Sequence, residues 1–171
     1  MSLIVEDGTG LANAESYVSV VQADAYFARL GVVDWAGFSV AEREIALRKA
    51  TAYMDARYSF RGERLRYEQS LSWPRMGYGS EQVPELGLWP VRQVADACCE
   101  LALIAARGQP FYVPAQTADV RSMSRATVGP ITVEYATTTA PEGAVRFQFV
   151  DDMLRYLVTS RRGAFRVERA S

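Results

Sequence analysis

Four stretches of the chain place apolar residues at helical spacing, and two short stretches near its end alternate them. Ser19 opens the first helix. Gln22 stands three residues on, completing a Ser-x-x-Gln capping box, and Val20, Ala23, Phe27 and Leu30 share one face before Gly31 ends it. Ser39 and Glu42 repeat the device. The helix behind them runs to about Arg57 on a stripe of Ala46, Leu47, Ala50, Tyr53 and Met54, with Glu44 and Arg48 as an i,i+4 pair on the solvent side. The clearest helix is headed by Pro90, a residue favoured at the first helical position. Its face is Val91, Val94, Ala95, Cys98, Leu101, Ala102 and Ala105, widened by Leu103 and Ile104, and Gly108 and Pro110 stop it. A last helix is predicted over Phe149–Thr159. It would bury Met153, Leu154, Leu157 and Val158, with Asp151 and Asp152 at its positive N-terminal end.

Between these helices the pattern is extended or irregular. Leu3-Ile4-Val5 reads as a short strand before a turn at Asp7–Gly10, and Tyr17-Val18 as another extended piece. Residues 58–90 lose periodicity and carry Gly62, Gly77, Gly79, Gly87, Pro74, Pro84 and Pro90, which predicts a long ordered loop with a helical turn near Tyr67–Leu71. Val120–Ser124 and Ile131–Tyr135 alternate on either side of Gly129-Pro130, a β-hairpin pattern. Ala136–Gly143 is a Thr-rich loop, and Arg161–Ser171 is a basic tail expected to be mobile in isolation. The predicted fold is mainly α: a bundle core of about four helices, a β-hairpin in the C-terminal third, and extended terminal arms. One domain covers 1–171. Within it 1–118 is the helical core with its loop at 58–90, 119–136 the hairpin, and 147–171 the last helix and basic tail.

Composition narrows the function. The 171 residues are 49% hydrophobic and 23% charged, ordinary for a soluble globular chain long enough to bury its own core. No window approaches 18 uninterrupted apolar residues, so no membrane span is expected. The N-terminus lacks the basic and apolar regions of a secretory signal. Without histidine, Ser-His-Asp and Cys-His triads and His-ligated metal sites are excluded. Cys98 and Cys99 are neighbours, which no loop-closing disulfide can join without strain, so they read as two small buried hydrophobes in a reducing compartment.

No enzyme motif is present. Gly8-Thr9-Gly10 and Gly77-Tyr78-Gly79 lack the context and the Lys-Ser/Thr of a phosphate loop. Lys49, the only lysine, falls on an exposed helix face, and helix-end charge explains Asp151-Asp152 better than a cation site does. No catalytic residue, cofactor or metal is predicted.

The net charge of −1 says little, but its distribution says more. Residues 1–56 carry −4, 57–75 carry +3 from five arginines and two glutamates, and 151–171 carry +2. The stretch from Arg57 to Tyr67 interleaves bases with aromatics, and Trp73-Pro74-Arg75 continues it. Arg57, Arg61, Arg64, Arg66, Tyr67 and Trp73 are therefore candidate contacts for single-stranded nucleic acid, with rings stacking on bases and guanidinium groups pairing phosphates. The alternative is that Tyr58, Phe60, Tyr67, Leu71 and Trp73 pack the loop onto the helices while the arginines answer nearby acids. A segment charge of +3 is a weak field for a polyanion.

Several segments in combination resemble a known family. They are Ile4–Gly10 with Asn13–Ser19, Ala23–Phe27, Ala50–Asp55, Gln69-Ser70-Leu71-Ser72-Trp73-Pro74-Arg75, the proline-headed helix with Glu100-Leu101-Ala102, and Val128–Tyr135. Together they resemble small proteins of tailed phages and prophages often called DnaT-like single-stranded-DNA-binding, similar to the head–tail connector (adaptor) proteins of the neck. The resemblance spans nearly the whole chain and contains no catalytic residue.

It implies a virion component assembled in the bacterial host cytoplasm. About twelve copies would close into a ring between the portal protein and a tail-completion (stopper) protein, with DNA passing unread through the lumen. The near-neutral charge suits such a wall better than a strong DNA binder. The contacts expected to engage the portal or a neighbouring copy are the hairpin, at Val128, Gly129 and Pro130, and the tail arginines Arg161, Arg162, Arg166 and Arg169. The alternative implied by the family label is a replication accessory protein that binds single-stranded DNA.

Overall fold

Serine side chains set where the first two helices start. The computed structural model describes residues 2–77, 91–113, 125–128, 131–134 and 143–161. Ser19 Oγ accepts the Gln22 N–H at 3.2 Å and Gln22 Oε1 accepts the Ser19 N–H at 2.8 Å, opening α1 (Val20–Leu30). The Ser39 and Glu42 pair does the same for α2 (Val40–Arg57). Gly31 closes α1 at a φ of 71°, a left-handed conformation that only glycine adopts without strain. The whole predicted stripe of α2 is buried, joined by Thr51 and Arg57. On α1, Ala23, Tyr26 and Phe27 go inward. Leu30, expected on that face, remains half exposed in the last turn. Phe27 meets Trp35 of a 3-10 turn (Asp34–Gly37) with ring centroids 4.9 Å apart, and the Trp35 indole donates to Asp24 at 2.7 Å.

The helix α3 (Arg92–Ala106) is the centre of the core. Val91 is its N-cap, so Pro90, which lies outside the described residues, precedes the helix instead of opening it. Gly108 turns the chain after it at a φ of 76°. The predicted face is buried, Leu103 included, except for Ala95 and Ile104, which are half-buried, and the burial also takes in Ala97 and Cys99. α2 packs along α3, with Thr51 Oγ1 3.5 Å from Cys98 Sγ. α1 rests on both, and the Tyr26 hydroxyl donates to Glu100 at 2.8 Å. The helix α4 (Gln148–Leu154) packs on α3 and buries Val150, Asp151 and Leu154.

Among the described residues eight short strands follow chain order: β1 (Tyr58–Phe60), β2 (Glu63–Arg64), β3 (Arg75–Met76), β4 (Tyr112–Val113), β5 (Arg125–Val128), β6 (Ile131–Glu134), β7 (Gly143–Ala144) and β8 (Val158–Arg161). All pair antiparallel: β1 with β8, β2 with β3, β4 with β7, and β5 with β6.

Three expectations change here. The last helix stops at Leu154, and Val158 and Thr159 enter β8 because β1 offers an open backbone edge that suits β-branched residues. The turn expected near residues 67–71 is confined to Tyr67 and Glu68 and does not continue to Leu71, where the loop is organised instead by the β2–β3 pair. The hairpin is present, but its first strand is Arg125–Val128; the expected stretch 120–124 lies outside the described residues. Val128 pairs with Ile131, so pairing starts directly at the two-residue connection.

At the N-terminus, Val5 bridges Ser16 in parallel instead of forming a longer strand. The chain divides into two compact units. Met1–Gln109 with Arg146–Ser171 holds the four described α-helices, and Pro110–Val145 holds the β4–β7 and β5–β6 pairs. The fold is mainly α with a β-hairpin. No described helix is long and apolar enough to cross a membrane.

Candidate nucleic-acid interface

The arginine–aromatic stretch begins where α2 ends. Strand alternation in β1 sends Tyr58 and Phe60 inward. The Tyr58 hydroxyl donates to buried Asp151 at 2.9 Å, and Phe60 meets Trp73 edge-to-face at 5.7 Å between centroids. Trp73 is 1% exposed and Arg57 8%, so neither can touch a strand of nucleic acid, contrary to expectation. Both are held in the interior because β1 and the 70–74 segment close over the helices. For Tyr58, Phe60, Leu71 and Trp73, packing is the correct reading.

What remains outside is a clamped loop. Gly62 turns the chain at a φ of 74°, and β2 pairs with β3 so that Arg64 lies opposite Arg75. Gln69, 3% exposed, ties the loop together. Its Nε2 donates to Leu71 O at 2.8 Å and Pro74 O at 3.1 Å, and its Oε1 accepts the Arg66 N–H at 2.9 Å. Ser70 donates through its backbone N–H to Leu11 O at 3.0 Å and through its hydroxyl to Ala14 O at 2.8 Å.

From below, Asp55 Oδ2 accepts the Ser72 N–H at 3.0 Å. Its Oδ1 accepts the Tyr17 hydroxyl, which in turn accepts the Trp73 N–H at 3.4 Å. Burial, the largest influence, pushes the Asp55 carboxyl above its ordinary range against these hydrogen bonds.

A second buried carboxylate, Glu6, shapes the neighbouring loop. Its oxygens accept the N–H groups of Gly8 at 2.9 Å, Gly10 at 2.8 Å and Leu11 at 2.9 Å. Gly10, at a φ of 78°, leaves room for the Arg66 stem: a Cβ there would sit 3.3 Å from Arg66 Cγ and Cδ.

The outer surface of this loop carries Arg61, Arg64, Arg66 and Tyr67, and Tyr67 is 98% exposed. Among the described residues these three arginines make no ion pair, whereas Arg43, Arg48, Arg92 and Arg107 each pair with an acid. Arg75 is spent on the loop itself. Its guanidinium donates to Arg61 O at 2.7 Å, to Ser72 O at 3.1 Å and to Gly62 O. Burial first, and the facing Arg64 charge second, make protonated Arg75 less favourable. Two guanidinium groups opposed across a strand pair repel; buried Asp55 offsets part of that repulsion, and a bound anion would relieve the rest. Glu63 and Glu68 are also exposed on this loop and weaken its field.

Sequence reasoning found Arg61, Arg64, Arg66 and Tyr67 but missed the residues that hold them: Gln69, Asp55 and Glu6. For Glu6 a signal existed in the glycines two and four residues on, whose backbones can point amides at one carboxylate. For Asp55 and Gln69 the partners lie in other segments, and local pattern carries no trace of them.

The candidate assembly contacts fall elsewhere. Val128 ends β5, Arg161 ends β8 opposite Tyr58, and Gly129, Pro130, Arg162, Arg166 and Arg169 lie outside the described residues. Among the described residues no group of three or more acids and cysteines is placed to hold a metal ion.

Neither the curated proteins nor the solved structures contain a match to this chain. One family model, described as "Putative DnaT-like ssDNA binding protein", matches residues 1–170. With that match covering the chain almost end to end, the protein belongs to the DnaT-like single-stranded-DNA-binding protein family.

Proposed function

We propose that the protein binds single-stranded DNA on the 61–67 surface, performs no reaction, and acts as an accessory protein in replication. The observation that carries this reading is the exposed Tyr67 flanked by three arginines without ion pairs, all on a loop fixed from beneath by buried hydrogen bonds. A loop already ordered spends little entropy on binding, and a ring that stacks on any base suits binding without sequence preference. The family to which the chain belongs supports the same role.

Anisotropy of a labelled oligo(dT) tests it. Binding is expected at about 50 mM salt, weakening as salt rises with a logarithmic slope near −2 if about three phosphates are engaged. Replacing Arg61, Arg64, Arg66 and Tyr67 together with alanine should lower affinity more than tenfold and flatten the slope by about 2. Absence of binding at about 50 mM salt, or indifference to the substitutions, would end the proposal.

A second reading is favoured by the hairpin. β5 and β6 sit in a unit that carries no helix among its described residues, a form suited to an arm that engages a neighbour. In this reading the chain is a head–tail connector of a phage neck. About a dozen copies ring the DNA channel between portal and tail-completion protein, closed by repeated head-to-tail contacts. Electron microscopy of the protein alone and on its cognate portal checks it. A chain that stays monomeric and never joins assembled necks is not a connector.

A further inference from the structure

We infer that Arg155 and Tyr156 form a second base-stacking position beside Arg61, so that a bound single strand passes two tyrosines, Tyr67 and Tyr156, and not one. The inference rests on the single-strand reading above and adds a contact site to it. Neither residue belongs to the arginine–aromatic stretch; both fall in the segment predicted as the last helix.

The structure breaks that helix at Leu154 and folds 155–157 into a turn. Leu157 points inward, 3% exposed, and its carbonyl accepts the Arg61 N–H at 2.8 Å. The Arg61 side chain adds a bond from Nε to Val158 O at 3.2 Å. These bonds tie the turn to the start of the clamped loop. The residue just before the tied carbonyl, about 3.8 Å along the chain, is Tyr156, 68% exposed.

Its ring is already half of a stack. The Arg155 guanidinium carbon lies 4.4 Å from the ring centroid, at cation–π distance, and covers one face. The opposite face is the natural place for a base, giving a guanidinium–ring–base sandwich. Arg155 makes no ion pair among the described residues. The nearby Asp152 instead accepts a hydrogen bond from Gln148 at 3.3 Å. An exposed tyrosine beside an unpaired arginine therefore occurs twice on the surface reached from Arg61: at Arg66-Tyr67 and at Arg155-Tyr156.

The test uses the full chain and oligo(dT) carrying 5-iododeoxyuridine. Ultraviolet crosslinking followed by peptide mapping should mark Tyr156 as well as Tyr67. Tyr156→Ala should lower affinity about tenfold, Tyr156→Phe should keep the affinity of the unchanged chain, and the salt slope should stay the same in both. If the unchanged chain neither binds nor crosslinks, both readings fall together. If it binds, crosslinks at Tyr67 alone and is indifferent to Tyr156→Ala, only the second stacking position is overturned.

Discussion

Asp55 shows what one residue contributes beneath a surface. It is buried under the 70–74 segment, where it accepts from Tyr17 and Ser72, and desolvation still lifts its pKa above the ordinary 3.8. Tyr17, Cys98, Arg64 and Arg75 are the titratable or charged groups it senses. A raised carboxyl means that the native state holds the proton more tightly than the unfolded chain does. Between the two values the native state carries more protons, so the Asp55 contribution to stability falls as pH rises through that window and is greatest below it. The stability difference between the unchanged protein and Asp55→Asn is therefore expected to shift toward the unchanged protein as pH drops from about 7 to about 4. Urea unfolding at each pH measures it, and a shift the other way would contradict the burial argument. The exposed carboxyls of Asp7, Glu15 and Glu42 are lowered by hydrogen bonds and act with the opposite sign, which the paired comparison cancels. Cys98, whose thiol burial pushes up to about 11, is the small buried hydrophobe that its neighbours in sequence suggest.

At the scale of elements, the helices that carry their own punctuation were the legible ones. The two Ser-x-x-Gln/Glu boxes start α1 and α2 as the spacing implies, because a cap is a contact between residues three apart. Ser19→Ala and Ser39→Ala are each expected to cost about 1 kcal/mol of unfolding free energy, and nearly to add in the double variant because the sites share no partner. Thermal or urea unfolding checks both numbers, and a cost below a few tenths of a kcal/mol would mean that tertiary packing alone positions these helix starts. The elements misread were those whose partner is remote. β8 and β1 are separated by about a hundred residues of sequence, so helical spacing at Met153, Leu154, Leu157 and Val158 was the only local signal, and the strand edge overrode it. β2 and β3 are two residues each, too short to show alternation.

For the whole molecule, the division into two units makes the two functional readings separable. Within Pro110–Val145 the ends are neighbours, since the Val145 N–H donates to Phe111 O at 2.8 Å, so a short glycine linker can replace the segment. The shortened chain is expected to unfold in one cooperative transition and to bind oligo(dT) as the full chain does, because every described helix and the 61–67 surface lie in the other unit. If ring assembly is instead the function, the same deletion removes the hairpin arm and abolishes rings. Circular dichroism, anisotropy and microscopy on one variant distinguish these outcomes, and loss of cooperative unfolding would refute the independence of the helical unit. By itself the sequence determined the first three helices of the core, the caps that start α1 and α2, the presence of a hairpin and the concentration of arginine at 57–75, since each depends on residues within a few positions of one another. Only the tertiary structure decided which of those arginines and rings face outward. Exposure is a property of what folds over a residue, and Trp73 and Tyr67, six residues apart on one loop, were parted by Gln69, Asp55 and Tyr17 acting from below.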